Sequence, residues 1–473
     1  MSLKISRVLH AGYVFECNDT QIIFDPIFEN PFSRNCYAFP NVKFDYEQIK
    51  KLNFAAVFIS HYHDDHCSFE SLNLLNRQTP IYIYCIFDEM IRLIQDLGFM
   101  HVYSLKLNES VCIGAFEITV WPALDVDVDS IFQIKAAGLN ILNVVDSWID
   151  SETLMRMSGQ PLWDMILWPF QTMREIEVLA PSRADGSLCE LPTEWLEQLK
   201  ILKPTYIVPS SCQFQHESWS WYNHALFPIS YQQFEKQIQL AVPGIQVVRL
   251  NPSVSIILNK IHRDQIQTEK SLSWVIPVGD QNRDYDYNPQ LKPPSIAAIA
   301  QNFFPLNQTQ TEIVFAYCRQ GVVEKYNSTE PSEDTYFKKP QLWKLSVYDH
   351  SGRCKNFFYK MNNHQIEYIS ESDFLKLTEN QDTSVTWLTE VPISKFFAAL
   401  TNGESLTSMY LRVNDFVFNP EIEIEISAAD IIEDPLIRCL FKGEFASYQQ
   451  AQLRKLLNNS KLKTDTRPAY DQN

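Results

Sequence analysis

Paired cysteines are missing from this sequence. Ten cysteines are scattered through 473 residues, at 17, 36, 67, 85, 112, 189, 212, 318, 354 and 439, and none forms a CxxC pair. That spacing offers no disulfide framework, and buried free thiols in a reducing compartment account for it. Long apolar runs are missing as well, and none approaches the length of a membrane span. The first ten residues carry charges inside any would-be apolar segment, so a signal peptide is not expected. A soluble, cytoplasmic protein with no integral membrane segment is the expectation. Positive charge is scarce: 40 Lys and Arg stand against 57 Asp and Glu, for a net charge of −17. A general nucleic-acid surface is therefore not expected. No tandem repeat is visible.

What is present points to a large folded chain. Its length exceeds one ordinary core and predicts two or three domains. Apolar residues make up 45% and aromatics 13%, enough to bury sizeable cores. Hydrophobic patterning predicts strands over 3–9, 13–17, 21–24, 54–60 and 81–86, then 101–106, 111–120, 131–136 and 140–145. Further strands are expected at 165–168, 206–208, 246–250 and 253–258, with helices over 88–97, 151–157, 193–202 and 230–240. Two strand-rich halves, each followed by helices, suggest an α/β chain with two sheets between helical layers. The metal-binding domain is expected over 1–262, with a polar, turn-rich linker over 263–294. An α+β domain of unknown role is expected over 295–458, and a flexible tail over 459–473. In that domain the pattern predicts strands at 311–318, 342–348, 354–360, 384–389 and 421–426. Its predicted helices are 295–303, 372–378, 394–401 and 443–457.

The chain turns on His61-Tyr62-His63-Asp64-Asp65-His66, which follows the apolar run from Phe54 to Ser60. Three imidazoles within six residues are hard to explain as packing. In an extended lead-out, His61 and His63 point the same way and can share one metal. Asp65 and His66 can face a second metal, about 3.5–4 Å away in two-metal sites. Asp146 follows the run Ile141 to Val145 and emerges at a strand end, either as a bridging ligand or as the cap of the helix near 151.

The pattern His61-x-His63-x-Asp65-His66 resembles the signature of the metallo-β-lactamase superfamily. His10 to Glu16, followed by Ile22-Ile-Phe-Asp-Pro26, is similar to the opening hairpin of its lactonase-like branch. Asp25-Pro26 through Asn30-Pro-Phe-Ser-Arg34 to Ser68, and Asn143-Val-Val-Asp146, resemble the corresponding part of CMP-N-acetylneuraminate hydroxylase. The resemblance covers about residues 3–260 and implies an αββα sandwich. It implies that His61 and His63 hold one metal, that Asp65 and His66 hold the other, and that Asp146 bridges. Asp65 would also take a proton from the nucleophilic water, Asp25 would support the metal loop, and His10 would lie near the site without ligating.

Two positions depart from the family. Where it places a histidine after the strand ending near 121, this chain has Trp121-Pro-Ala-Leu-Asp-Val-Asp-Val-Asp129, and Asp125 aligns best, with Asp127 and Asp129 as neighbours. Where it expects a late histidine, Pro209-Ser-Ser211 carries serine, and His216 or His224 either reaches in or is an ordinary loop residue. A carboxylate for an imidazole makes the site harder and shifts preference from zinc towards manganese or iron. The expected activity is hydrolysis of an ester, lactone or phosphodiester by a metal-bound hydroxide on a small-molecule substrate. The alternatives are an iron-dependent oxygenase fed electrons by a separate partner, or a degenerate binding module. The sequence leaves the oligomeric state open.

Overall fold

The computed structural model describes residues 2–184, 189–263, 265–269, 272–328, 341–362, 365–379, 385–418, 434–441 and 445–465. The chain divides into two compact units. Unit 1 comprises Met1–Met173, Leu188–Tyr287 and Tyr448–Asn473, and unit 2 comprises Arg174–Ser187 and Asn288–Ser447.

Unit 1 opens with β1 (Ser2–Leu9), β2 (Gly12–Cys17), β3 (Thr20–Phe24), β4 (Ala56–Ile59), β5 (Ile81–Ile83) and β6 (Val102–Ser104). There follow β7 (Ser110–Ile113), β8 (Phe116–Pro122), β9 (Ser130–Ala136), β10 (Leu139–Asn143), β11 (Met165–Trp168), β12 (Tyr206–Pro209) and β13 (Gln246–Val247). The chain then returns to the first sheet with β14 (Ser255–Asn259) and β15 (Gln267–Glu269). The first sheet has the order β15-β14-β1-β2-β3-β4-β5-β6, and the second β13-β12-β11-β10-β9-β8-β7. The pairs β3–β4 and β4–β5 are parallel, as are β10–β11 and β11–β12.

The two sheets face each other across one apolar layer. Ile5, Phe15, Phe24 and Phe58 from the first pack with Ile118, Phe132, Ile134 and Met165 from the second. Phe24 stacks on Phe58 at 5.1 Å and meets Phe132 edge-on at 5.1 Å. Each fully buried ring of this kind contributes roughly 1.5–3 kcal/mol. The outer face of the second sheet is covered by α2 (Ser151–Ser158), α3 (Thr193–Leu202) and α4 (Tyr231–Ala241), through Met157, Trp195, Leu199, Phe234 and Ile238. An earlier helix, α1 (Asp88–Asp96), follows β5 and buries Met90 and Ile94. Helices against sheets facing sheets make the αββα sandwich that the resemblance implies, joined in this chain to a further α+β unit.

Strand direction explains where a site can form. β1 is antiparallel to β2 and β2 to β3, so β1 runs with β3 and β4. By the same count β8 runs with β10. The residues that follow β1, β3, β4, β8, β10 and β12 therefore emerge at the ends where parallel strands finish, the place where α/β sheets bind ligands.

Unit 2 carries a five-stranded sheet of order β18-β17-β16-β19-β20, from β16 (Gln341–Tyr348), β17 (Cys354–Asn362), β18 (Gln365–Ile369), β19 (Val385–Pro392) and β20 (Arg412–Phe418). The expected strands at 342–348, 354–360 and 384–389 appear as β16, β17 and β19, and the expected helices at 295–303, 372–378 and 394–401 as Ile296–Ala300, Glu371–Thr378 and Ile393–Asn402. The expected strand at 421–426 lies outside the described residues.

Several expectations differ from what is found. The segment 311–318 is not a strand but falls in the helix Gln308–Ala316 and the π-helical turn Tyr317–Gly321. A reciprocal capping box between Asn307 and Gln310 starts that helix and overrides the β-branched composition. The change of unit comes at Tyr287, and β15 pairs with β14, so much of the expected linker belongs to unit 1. The helix α5 (Ser447–Asp465) runs through the start of the expected tail, and the chain rejoins unit 1 at Tyr448. The run 111–120 is two strands, split at Gly114 with φ of +54°. A Cβ there would sit 2.3 Å from Thr20 Oγ1. Gly114→Ala is expected to lower the unfolding free energy by about 1–2 kcal/mol, measurable by urea denaturation, since an L-residue pays that in the left-handed region.

Candidate metal centre

The site begins with a carboxylate in the floor. Asp25 follows β3, is fully buried, and has φ of +39°. Its Oδ1 accepts from the Ser60 backbone amide at 2.7 Å, and its Oδ2 accepts from the Ser60 hydroxyl at 2.8 Å. His66 Nδ1 lies 3.0 Å from the same Oδ2. Because an ionised carboxylate only accepts, His66 carries its proton on Nδ1 towards Asp25. Ser60 has spent its own proton on Asp25, so His61 Nδ1, 2.9 Å from Ser60 Oγ, must donate to it. The Nε2 atoms of both imidazoles then point away from the floor. His61 Nε2 is buried without a hydrogen-bond partner among the described residues. This is the carboxylate–histidine arrangement that orients metal-ligating imidazoles.

Two groups of donors form above that floor. In each, one ligand atom per residue can be chosen so that all lie within 4.8 Å of one another. The first is His61, His63 and Asp129, and the second is His10, Asp65, His66 and Asp146. They adjoin, since the rings of His61 and His66 are 4.1 Å apart. In the second group, His66 Nε2 lies 3.1 Å from Asp146 Oδ2 and 3.6 Å from Asp65 Oδ2. His10 Nε2 lies 3.1 Å from Asp65 Oδ2 and 3.3 Å from His66 Nε2. Asp146 Oδ1 is buried without a hydrogen-bond partner among the described residues. Two imidazoles facing each other edge-on, with orphaned lone pairs beside them, fit a cation better than a network of protein hydrogen bonds.

Backbone strain aims several of these side chains. His10 sits at φ +52° and Val145 at φ +64°, a rare conformation for a β-branched residue. Buried Arg7 donates to the carbonyls of His10, Pro209 and Leu250, which fixes the His10 turn. Val145 is held by Asn143 Oδ1 on its amide and by the Ser211 hydroxyl, 2.7 Å from its carbonyl. That turn delivers Asp146 to the site. The cap of α2 is Asp150, which accepts from the amides of Glu152 and Thr153, so Asp146 is not needed there.

Charge follows from this crowding. Burial opposes ionisation of Asp65, yet His66 and His10 outweigh it and hold its carboxyl well below the usual range. Burial likewise opposes charge on His66, and Asp146 with Asp65 overcomes it and raises its pKa. His61 is driven the other way, down, by burial and by the neighbouring His66 and His63. Burial and Asp146 push Asp129 up to about 6. His61 is thus a neutral ligand-ready imidazole, while three carboxylates compete for positive charge.

The expected residues divide. His61, His63, Asp65, His66 and Asp146 come together. Asp125 does not: it is exposed and opens a turn, with its carboxylate 3.2 Å from the Asp127 amide and its carbonyl accepting from Asp129. Asp129 takes the place expected for Asp125, with an oxygen 3.8 Å from His61 Nε2. The reason lies next door, where the Ser130 hydroxyl donates to the Ser60 carbonyl at 2.8 Å and sets Asp129 beside His61. Neither His216 nor His224 joins a donor group among the described residues. His216 is buried against the rings of Phe214 and Tyr222, and His224 sits at the surface, 2.9 Å from the Asp286 carbonyl. At the late-histidine position Ser210 bonds Tyr13 and Ser211 bonds Val145. His10, expected only near the site, fills that corner from the opposite sheet. Trp148 and Trp168 belong to the helix-facing core and not to the site.

No family model matches the chain, and no curated relative does. Among solved structures, the metallo hydrolase Igni18 from Ignicoccus hospitalis is similar at 16% identity and TM-score 0.38, over 55% of this chain and 99% of that one. The metallo-β-lactamase fold protein YhfI from Bacillus subtilis matches at 14% identity and TM-score 0.35, over 53% and 98%. CmlA, a diiron β-hydroxylase from Streptomyces venezuelae, matches at 15% identity and TM-score 0.37, over 55% of this chain and 54% of its own. The two facing sheets with their helices and the histidine loop lie in the expected places, and nothing in the comparisons supports the lactonase-like branch in particular. Among the described residues, no helix is long and apolar enough to cross a membrane.

Asp25→Asn keeps the shape of the floor and removes its charge. Divalent-cation affinity is expected to fall by about 10- to 100-fold, the usual cost of losing such a supporting partner, in a chelator competition. Asp129→Ala is expected to weaken the same affinity, and Asp125→Ala to leave it within twofold of wild type.

Proposed function

We propose that this chain is a metal-dependent hydrolase that acts on an ester, lactone or phosphodiester with two divalent cations. The observation that carries the reading is the pairing of two adjoining donor groups, seven side chains in all, over one shared carboxylate floor. His61, His63 and Asp129 would hold one cation, and His10, Asp65, His66 and Asp146 the other. Divalent cations supply Lewis acidity there and lower the pKa of a coordinated water from 15.7 to about 7. Asp65 and Asp146 stay ionised, so either oxygen can take or hold a proton beside the attacking water. Asp25 and Ser60 keep the imidazoles aimed and touch no substrate. Three carboxylates offset most of the charge of two dications, and a donor set of four imidazoles and three carboxylates suits manganese or zinc.

One observation favours a second reading. His61, His63 and Asp129 are a two-histidine, one-carboxylate set, the ligand type of non-haem iron oxygenases. An oxygenase would need iron and an electron source.

Elemental analysis of the purified protein, followed by turnover of nitrophenyl ester and phosphodiester probes with and without oxygen, separates these. Hydrolysis by the manganese- or zinc-loaded protein without oxygen supports the proposal. Turnover that needs both iron and oxygen would replace it with the second reading, and failure to bind any divalent ion would overturn both. His61→Ala is expected to abolish loading of the first group and to lower hydrolysis by at least a thousandfold.

A further inference from the structure

The metal loop is pinned from the far end of the chain. Helix α5 lies against it within unit 1, and two of its glutamines face the loop backbone. Gln449 Nε2 donates to the Tyr62 carbonyl at 2.8 Å and to the Cys67 carbonyl at 2.9 Å. One amide group thus spans the segment that carries His63, Asp65 and His66. Gln452 Oε1 accepts from the Phe69 amide at 2.7 Å, and its Nε2 donates to Ser68 Oγ at 3.1 Å. Both glutamines are at most 3% exposed. Burying an amide is favourable only when its hydrogen bonds are made, and here all the bonds go to the loop. Around them Lys455 pairs with Glu70 at 2.6 Å, and the Arg34 guanidinium lies 3.9 Å from the Tyr448 ring centre.

We infer that Gln449 and Gln452 are positioning residues for the metal loop, so that α5, reached only after unit 2 has been traversed, sets the spacing of its donors. Within the loop, His66 and Cys67 donate back to the His63 carbonyl, which closes the turn, and Asp25 links Ser60 to His66 beneath it. Gln449 adds a direct tie between the Tyr62 and Cys67 carbonyls on either side of that turn. Gln452 fixes the exit into the helix Phe69–Leu72, whose cap is Ser68. This inference rests on the metal reading of the loop given above.

The test uses the full chain with Mn2+ as the probe. The double substitution Gln449→Met and Gln452→Met keeps side-chain volume and removes the four bonds. Mn2+ affinity by chelator competition is expected to fall about tenfold or more. Amide exchange over 62–69 in the metal-free protein is expected to quicken about tenfold. Gln450→Ala, on the neighbouring position that meets Glu89 on α1, is expected to change neither. If the double variant does not fold, Gln449→Met alone is read by the same two measurements. Affinity and exchange both equal to wild type would overturn the inference. If wild type itself binds neither Mn2+ nor Zn2+, the hydrolase reading falls, and the exchange rates of 62–69 still decide the role of the two glutamines.

Discussion

A single buried carboxylate organises this protein's chemistry. Asp25 has no exposure to water, and its oxygens are spent on Ser60 and His66. An ionised carboxylate can be buried only where hydrogen bonds replace water, so its partners are held tightly. Through them the charge dictates the proton positions on two imidazoles from different turns of one loop. Without that constraint, each histidine would have a second tautomer with its lone pair turned inwards. With it, His61 and His66 present Nε2 to the same space, and the strand ends of two sheets supply the remaining donors.

The local part of this arrangement was legible in the sequence, and the non-local part was not. His61, His63, Asp65 and His66 lie within six residues after an apolar strand, so their spacing alone carries the geometry. Asp146 was visible because it follows a buried run, although the turn that aims it depends on Val145 in a left-handed conformation. Asp129 was harder. Three aspartates alternate at 125, 127 and 129, and the choice among them rests on a bond from Ser130 to the Ser60 carbonyl, 70 positions away. His10 was harder still, since its place opposite Asp65 follows from the order of strands in the first sheet. The αββα layers could be read from hydrophobic alternation. The split of 111–120 at Gly114 signalled itself only through a glycine, and the helix at 308–316 through a cap its composition obscured.

Unit 2 shows the limit of reading composition without partners. Its strands 342–348 and 354–360 were visible because they run apolar over most of their length. The segment Thr311-Glu-Ile-Val-Phe-Ala-Tyr-Cys318 has equal apolar density and forms a helix. β-branched residues prefer strands by fractions of a kcal/mol each, an amount that one capping box offsets. The return of α5 to unit 1 is a further case. Nothing in its glutamine-rich, weakly amphipathic sequence says which surface it meets, and its role appears only when Gln449 and Gln452 are seen bonded to a loop almost 400 residues earlier.

The replacement of an imidazole by Asp129 has a consequence for the balance of the whole centre. With Asp65, Asp129 and Asp146 ionised, the donors carry three negative charges in a space that burial keeps from water. Such a set is stable only when positive charge is shared among the carboxylates. His66 can supply one unit by taking a second proton, since Asp146 and Asp65 raise its pKa against burial. A proton on Nε2 and a cation at the same atom are mutually exclusive, so a cation held there would displace that proton, and its binding would be coupled to proton release. An all-imidazole group would lack this competition. On the metal reading, the aspartate would therefore harden the first group and also make the occupancy of the second depend on how fully the first is neutralised, tying the two groups into one electrostatic unit.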